Sequence, residues 1–464
     1  MRIVLIVPDG VAVRNYLYSS FVNELQAKGF EVILYHQISN AAIEEVRKVQ
    51  PTLSEIKSIP YFTEKPKARI LRESLAYARL KFNAKKLNNP TVMDFWNRKQ
   101  KKMKQKILYR FAEVLGTILS LNYKFILKFE VIYDKEIRKD RVYNEIEKDI
   151  ETLNPDYVLN LHQRAPISAP IIAAAKKKNI STATVIFSWD NVPKARLISR
   201  YDKYLVWSDI MKTELLLLYP EIKNDTVQIV GTPQFEFYFN EKYFKNRDMF
   251  FNEFGLDSNK KTICFSANDL SSPYEANYLE DVCEEISKIE ESIRPQLLFR
   301  RCPVDKTTRF DFVLEKYKSI VFPVDPDWKI ENNNTKSFAS IYPTINDVVL
   351  LVNTVKHCDA VINLGSTMAH DFAVYNKPCL YLNYNPVNNS IFKVEMSYKF
   401  QHFRTMDNLV AVGWINSKSQ IGELVKQVLS TPNEIGEDKI TWMQTIVQFP
   451  LENNSKSIVN SILK

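Results

Sequence analysis

Residues 2–7, Arg-Ile-Val-Leu-Ile-Val, form an almost unbroken apolar run, the pattern of a strand covered on both faces. A loop from Pro8 to Val13 follows, and then Leu17, Phe21, Val22 and Leu25 recur at helical spacing between Arg14 and Lys28. Gly29 stops that helix, and Glu31–Tyr35 reads as a second strand. Strand, helix, strand is the opening of a doubly wound α/β sheet, in which ligands gather at the carboxyl ends of the strands. The alternation returns with strands at Asp156–Leu161, Thr182–Phe187, Lys203–Trp207 and Thr226–Val230, and helices at Pro166–Lys178 and Ile210–Leu218. A second series has strands at Lys261–Ala267, Gln296–Arg300, Ser319–Phe322, Ala360–Asn363 and Cys379–Leu382. Its helices are Tyr274–Ser292, Asn346–Lys356 and Thr367–Tyr375.

Two series predict two Rossmann-like doubly wound lobes facing a cleft: residues 1–232 and 251–437, with a linker at 233–250 in the aromatic, irregular stretch that begins at Gly231. From about 64 to 151 the first series is interrupted by long helical segments rich in Lys and Arg, with short strand signals only near Phe125–Ile132. Such a block is a helical insertion in the first lobe. The last stretch, 438–464, is helical in pattern and is expected to cross back to the first lobe.

A chain of 464 residues accommodates two such domains. Its net charge of +9 fits an anionic membrane, a phosphate-bearing substrate or nucleic acid. The densest basic run is Arg98, Lys99, Lys101, Lys102, Lys104, Lys106 and Arg110, read either as a solvated helix face or as a surface for anionic lipid. Nearby aromatic residues match no RNA-binding motif, so no nucleic-acid partner is expected. The opening apolar run is too short for a signal peptide, and Phe111–Phe129 is interrupted by charge, which predicts a cytoplasmic protein, peripheral on the inner face of the membrane. Five cysteines without CxxC spacing read as reduced core thiols. Asp325-Pro326-Asp327 has the spacing of a metal-holding pair, but Pro326 suits a turn, and no metal is expected.

The sharpest chemical signal is Asn363-Leu364-Gly365-Ser366-Thr367-Met368-Ala369-His370-Asp371. A strand runs into a glycine and two hydroxyl residues that open a helix, where backbone N–H groups and the helix dipole favour a phosphate. Asp371, one turn further, is placed to accept from the hydroxyls of a sugar. In the first lobe, Asp9, Arg14 and Asn15 follow the first strand, His162 follows Asp156–Leu161, and Trp189 and Asp190 follow Thr182–Phe187. All stand at carboxyl ends of strands.

The segment from Gly365 through Asn376-Lys377-Pro378 resembles the GSTxxxEAxxxGKP segment of GT-B glycosyltransferases of lipopolysaccharide, capsule and teichoic acid synthesis. Aspartate replaces the usual Glu, and Asn376 the usual Gly. Leu297–Pro303 is similar to the family's strand ending in Arg-x-His-Pro, with Cys302 in place of His; Ile229–Tyr238 is similar to its linker segment, and Phe187–Asn191 with Lys194 to an SWDN segment. The resemblance implies a metal-independent transferase that moves a sugar from a nucleotide sugar, UDP-linked, to a glycan or lipid-linked acceptor. It implies donor contacts from Gly365, Ser366, Thr367, Asp371, Arg300 and Arg301. On the acceptor side stand Arg14, Asn15 and Trp189, and a general base would come from Asp190, His162 or Asp9, with Asp190 preferred because a cleft-facing carboxylate accepts a proton directly. A nucleotide-sugar 2-epimerase and a CDP-polyol phosphotransferase share the architecture, and a basic nucleic-acid-binding protein is the alternative of another class.

Overall fold

The computed structural model describes residues 1–53, 55–96, 102–330, 341–388 and 392–463. Arg98, Lys99 and Lys101 of the basic run lie outside them. The chain divides into unit 1, Met1–Pro233 with Phe400–His402 and Ile446–Lys464, and unit 2, Gln234–Lys399 with Phe403–Thr445.

Unit 1 is built on seven strands: β1 (Arg2–Val7), β2 (Glu31–His36), β3 (Glu55–Ser58), β4 (Tyr157–Asn160), β5 (Ser181–Val185), β6 (Lys203–Val206) and β7 (Val227–Ile229). They pair in the order β3-β2-β1-β4-β5-β6-β7, every pair parallel. Strand order reverses between β1 and β4, the crevice where a doubly wound sheet places ligands. Helices α1 (Phe21–Ala27) and α2 (Asn40–Val49) accompany the first strands. The single helix expected over Arg14–Lys28 is in fact two pieces, a π-helical turn at Val13–Leu17 and then α1. The break has a local cause: Ser19 Oγ accepts from the N–H of Phe21 at 3.3 Å and starts the second helix afresh.

The insertion comprises α3 (Pro66–Lys86), α4 (Met103–Leu119), α5 (Tyr123–Ile137) and α6 (Arg141–Leu153). Strand signals near Phe125–Ile132 were misleading, because Ile126, Tyr133 and Ile137 are buried at helical, not alternating, spacing on α5. A buried ion network ties the insertion to the body of unit 1. Arg79 of α3 reaches Glu130 at 2.6 Å and Glu221 at 3.2 Å, and Arg200 reaches the same two carboxylates at 2.7 and 2.8 Å. Two cations sharing two acids leave no buried charge unpaired, the condition under which such a network is tolerated. Two more helices of unit 1, α7 (Ser168–Lys177) and α8 (Asp209–Leu218), follow β4 and β6.

Unit 2 has a six-stranded parallel sheet. Its strands are β8 (Thr262–Ser266), β9 (Gln296–Arg300), β10 (Val321–Pro323), β13 (Ala360–Asn363), β14 (Cys379–Leu382) and β15 (Gly413–Ile415). The order is β10-β9-β8-β13-β14-β15, so the reversal falls between β8 and β13. A separate antiparallel pair, β11 (Trp328–Ile330) with β12 (Ile341–Pro343), was not expected from the sequence. Helices α9 (Arg247–Asn252), α10 (Glu275–Ser287), α11 (Asp311–Lys316), α12 (Ile345–His357) and α13 (Met368–Ala373) lie between the strands. One core of Ile263, Phe265, Leu297, Phe299 and Ile362, with α10 supplying Leu279 and Val282, fixes the strand ends that carry the polar residues of interest.

Candidate functional site

In unit 2 the polar residues gather at the β8/β13 reversal. Asn268, just after β8, donates to the carbonyl of Leu364, just after β13, at 2.5 Å. Gly365 has φ +64, and a Cβ there would lie 2.9 Å from Phe403 Cζ, so both conformation and space call for glycine. Asn363 ends β13 and accepts from the N–H of Ser366 at 2.8 Å, while Ser366 Oγ accepts from the N–H of Met368 at 3.3 Å. These bonds shape the turn and leave the N–H groups of Gly365 and Thr367 without a partner among the described residues. Thr367 is exposed, and α13 is shorter than the expected Thr367–Tyr375. Asn376, where the resembled segment has Gly, has φ +56, a left-handed conformation that Asn tolerates better than most residues.

Asp371 is buried, and its Oδ1 accepts from the hydroxyl of Tyr238 at 2.8 Å. Arg300, at the end of β9, is buried beside Tyr238 and donates from Nη2 to Asp347 at 2.8 Å. Burial works against its charge, but Asp347 more than offsets that and holds its pKa above the ordinary value. Its Nη1 has no partner among the described residues. Asp347 also accepts from Trp328 Nε1 at 2.6 Å and from the N–H of Asp327 at 3.1 Å, so the β11–β12 pair closes around it. Arg301 faces elsewhere, toward Asp325 at 3.3 Å and the Thr307 carbonyl at 2.6 Å. Asp327 accepts from Thr344 Oγ1 at 2.5 Å and pairs with Lys329 at 2.9 Å, so both acids of Asp325-Pro326-Asp327 have partners in the protein. Cys302 is buried, which pushes its thiol up to about 12 and leaves it uncharged.

In unit 1 the β1/β4 reversal brings Asp9 and His162 together: Nδ1 of His162 lies 2.7 Å from Oδ2 of Asp9. Asp9 Oδ1 accepts from the N–H of Val11 at 3.1 Å, and the N–H of His162 donates to Asn160 at 3.2 Å, so both loops are fixed. Since a carboxylate only accepts, Nδ1 carries a proton; in the neutral imidazole Nε2 then presents its lone pair, and it has no partner among the described residues. Arg14 donates to Asn15 at 3.1 Å, and Trp189 meets His402 edge to face at 4.8 Å.

Asp190 is differently placed. One of its oxygens is ion-paired with Lys194 and the other accepts from Asn191 Nδ2 at 2.7 Å. Burial alone would raise its pKa, but Lys194 and His402 hold it well below the usual carboxylate range. Burial lowers His402 to about 4, so at neutral pH it is uncharged and Lys194 is the cation that counts. A carboxylate held ionised so firmly is a weak base. Sequence reading missed Arg164, on the loop after His162, which has no hydrogen bond or ion pair among the described residues and whose pKa burial lowers. It missed Asp347 as well. Arg164 could have been noticed as the nearest cation to a strand-end histidine; Asp347 carries no local signal, because its partners come from β9 and the β11–β12 pair.

A cavity of about 390 Å3 lies elsewhere in unit 1, beneath the insertion, between α3, α5 and α7. Its arginines, among them Arg72, Arg138 and Arg196, are each paired with a carboxylate.

No protein-family model matches the chain, and no curated protein sequence matches it. Solved structures do. A UDP-GlcNAc 2-epimerase from Neisseria meningitidis, bound to UDP-GlcNAc, aligns over the whole of both chains at TM-score 0.52 and 11% identity. The chain has the GT-B fold. The UDP-GlcNAc 2-epimerase of Methanocaldococcus jannaschii aligns over the whole of both chains at 0.53 and 12%, and a glycosyltransferase from Rickettsia africae at 0.52 and 12%, covering 100% of this chain and 98% of that one. At such identities the likeness is one of fold.

Proposed function

We propose that the protein is a glycosyltransferase in which unit 2 takes a UDP-linked sugar and unit 1 offers a general base to the hydroxyl of a cell-surface polysaccharide or glycolipid acceptor. The observation that carries this reading is the Asp9–His162 pair, an imidazole with its lone pair outward and its far side held by a carboxylate at 2.7 Å. In that arrangement Nε2 of His162 removes the hydroxyl proton as the new C–O bond forms, and Asp9 steadies the imidazolium. The bond from the sugar to the diphosphate breaks with its electrons going to the leaving phosphate. The charge that develops is met by the N–H groups of Gly365 and Thr367, the hydroxyls of Ser366 and Thr367, and Nη1 of Arg300. Asp371 accepts from the ribose, and Arg14, Asn15, Arg164 and Trp189 contact the acceptor. Arg301, engaged by Asp325 and Thr307, is dropped from the donor set.

A second reading, nucleotide-sugar 2-epimerase, is favoured by one observation: two of the solved structures described above are UDP-GlcNAc 2-epimerases. Epimerisation must remove a proton from carbon on one face and return one on the other. Asp190, held ionised by Lys194, is a poor donor for the second step. Incubation with UDP-GlcNAc alone, followed by proton NMR, separates the readings. Appearance of the 2-epimer without acceptor would overturn the transferase; UDP release that requires an added glycan acceptor supports it.

A further inference from the structure

Helix α4 turns its buried residues, Ala112, Gly116 and Leu119, toward the rest of the insertion. On its opposite side Met103, Ile107, Phe111, Val114 and Ile118, spaced at four, four, three and four residues, form one stripe that continues to Leu121. Each of the six exposes between 51% and 79% of its surface. Single exposed apolar residues need no explanation, but a contiguous line of five along one helix, extended by Leu121 just past its end, does.

Charge decides what the stripe fits. On a helical wheel Lys104 falls on one flank and Lys106 and Arg110 on the other. Lys104 and Lys106 are exposed and pair with no acid among the described residues. Glu113, the only acid of α4, is turned off the stripe, where it accepts from Trp96 Nε1 at 2.9 Å and from Arg110 at 3.2 Å. Lys124 and Lys128 of α5 add exposed cations beyond Leu121. We propose that α4 lies in the interface of an anionic lipid bilayer, its apolar stripe among the acyl chains and its flanking lysines at the headgroups. A second copy of the chain fits less well, because it would bring a second stripe flanked by the same cations and, among the described residues, no acid of α4 turned toward them. The inference shifts weight from the basic run to the apolar stripe and is independent of the glycosyltransferase reading.

The test is co-sedimentation of the full chain with phosphatidylglycerol vesicles and with phosphatidylcholine vesicles. Wild type should bind the former and, by comparison, little of the latter. The variant Ile107→Ser/Phe111→Ser/Ile118→Ser should lose on the order of tenfold or more in partition, and Lys104→Gln/Lys106→Gln should lose preference for anionic lipid. The substituted side chains are exposed, and an unchanged circular-dichroism spectrum and melting temperature should accompany both variants. Equal vesicle binding by wild type and the serine variant overturns the proposal. So does a wild type that ignores vesicles while light scattering shows a dimer that the serine variant dissolves.

Discussion

Nδ1 of His162 and Oδ2 of Asp9 stand 2.7 Å apart although 153 residues separate them, because β1 and β4 are neighbours in the sheet. If this pair is the general base, His162→Gln lowers turnover by about 100- to 10,000-fold while the donor binds as before. Asp9→Asn should lower it in the same direction, since the amide no longer stabilises the imidazolium. Steady-state kinetics beside calorimetric titration of the nucleotide checks both.

The Asp190–Lys194 pair is assigned to stability rather than to chemistry. Lys194→Met leaves a half-buried carboxylate without its cation and should cost about 1 to 3 kcal/mol in urea unfolding. The double variant Lys194→Met/Asp190→Asn should recover most of that loss. Failure of the second substitution to restore stability would remove the pair from the account.

His402 makes unit 1 sensitive to acid. Its pKa in the folded chain, about 4, lies below the ordinary 6.5, so below pH 6.5 the unfolded state takes up the proton first. Stability from this group is therefore complete above about pH 6.5, declines as the pH falls toward 4, and changes no further below. The loss is on the order of 3 kcal/mol. His402→Asn should flatten that part of the stability profile, measured by urea unfolding between pH 7 and pH 4.

The hydroxyl of Tyr238 holds Asp371 at 2.8 Å. Removing it in Tyr238→Phe takes away a bond that orients the carboxylate, and nucleotide affinity should weaken about threefold to tenfold, the worth of a single hydrogen bond. Isothermal titration with UDP reads this directly.

Much of the fold was legible because apolar runs and helical spacing are local properties. Gln296–Arg300, Ala360–Asn363 and Cys379–Leu382 are strands at the residues the pattern marks. What failed depends on pairing that no local pattern carries. Glu55–Ser58 is short and polar and becomes a strand only by pairing with β2, and Trp328–Ile330 needs Ile341–Pro343. For the candidate site, the Gly365–Asp371 segment was visible as a linear motif. The contacts around it were not, because Tyr238 meets Asp371 and Asp347 meets Arg300 only once the chain has folded. Residue type alone ranked Asp190 above His162; the proposed order is the opposite, on the strength of the ion pair with Lys194.

The proposed reaction also requires that the Gly365–Asp371 segment of unit 2 hold a nucleoside diphosphate. It is tested most directly by calorimetric titration of UDP, GDP, CDP and CMP into wild type, Thr367→Val and Asp371→Asn. The account predicts that UDP binds tightest and that each substitution weakens it by roughly tenfold, the loss of one charge-assisted hydrogen bond. Absence of binding by all four nucleotides, or UDP affinity unchanged in both variants, would contradict it.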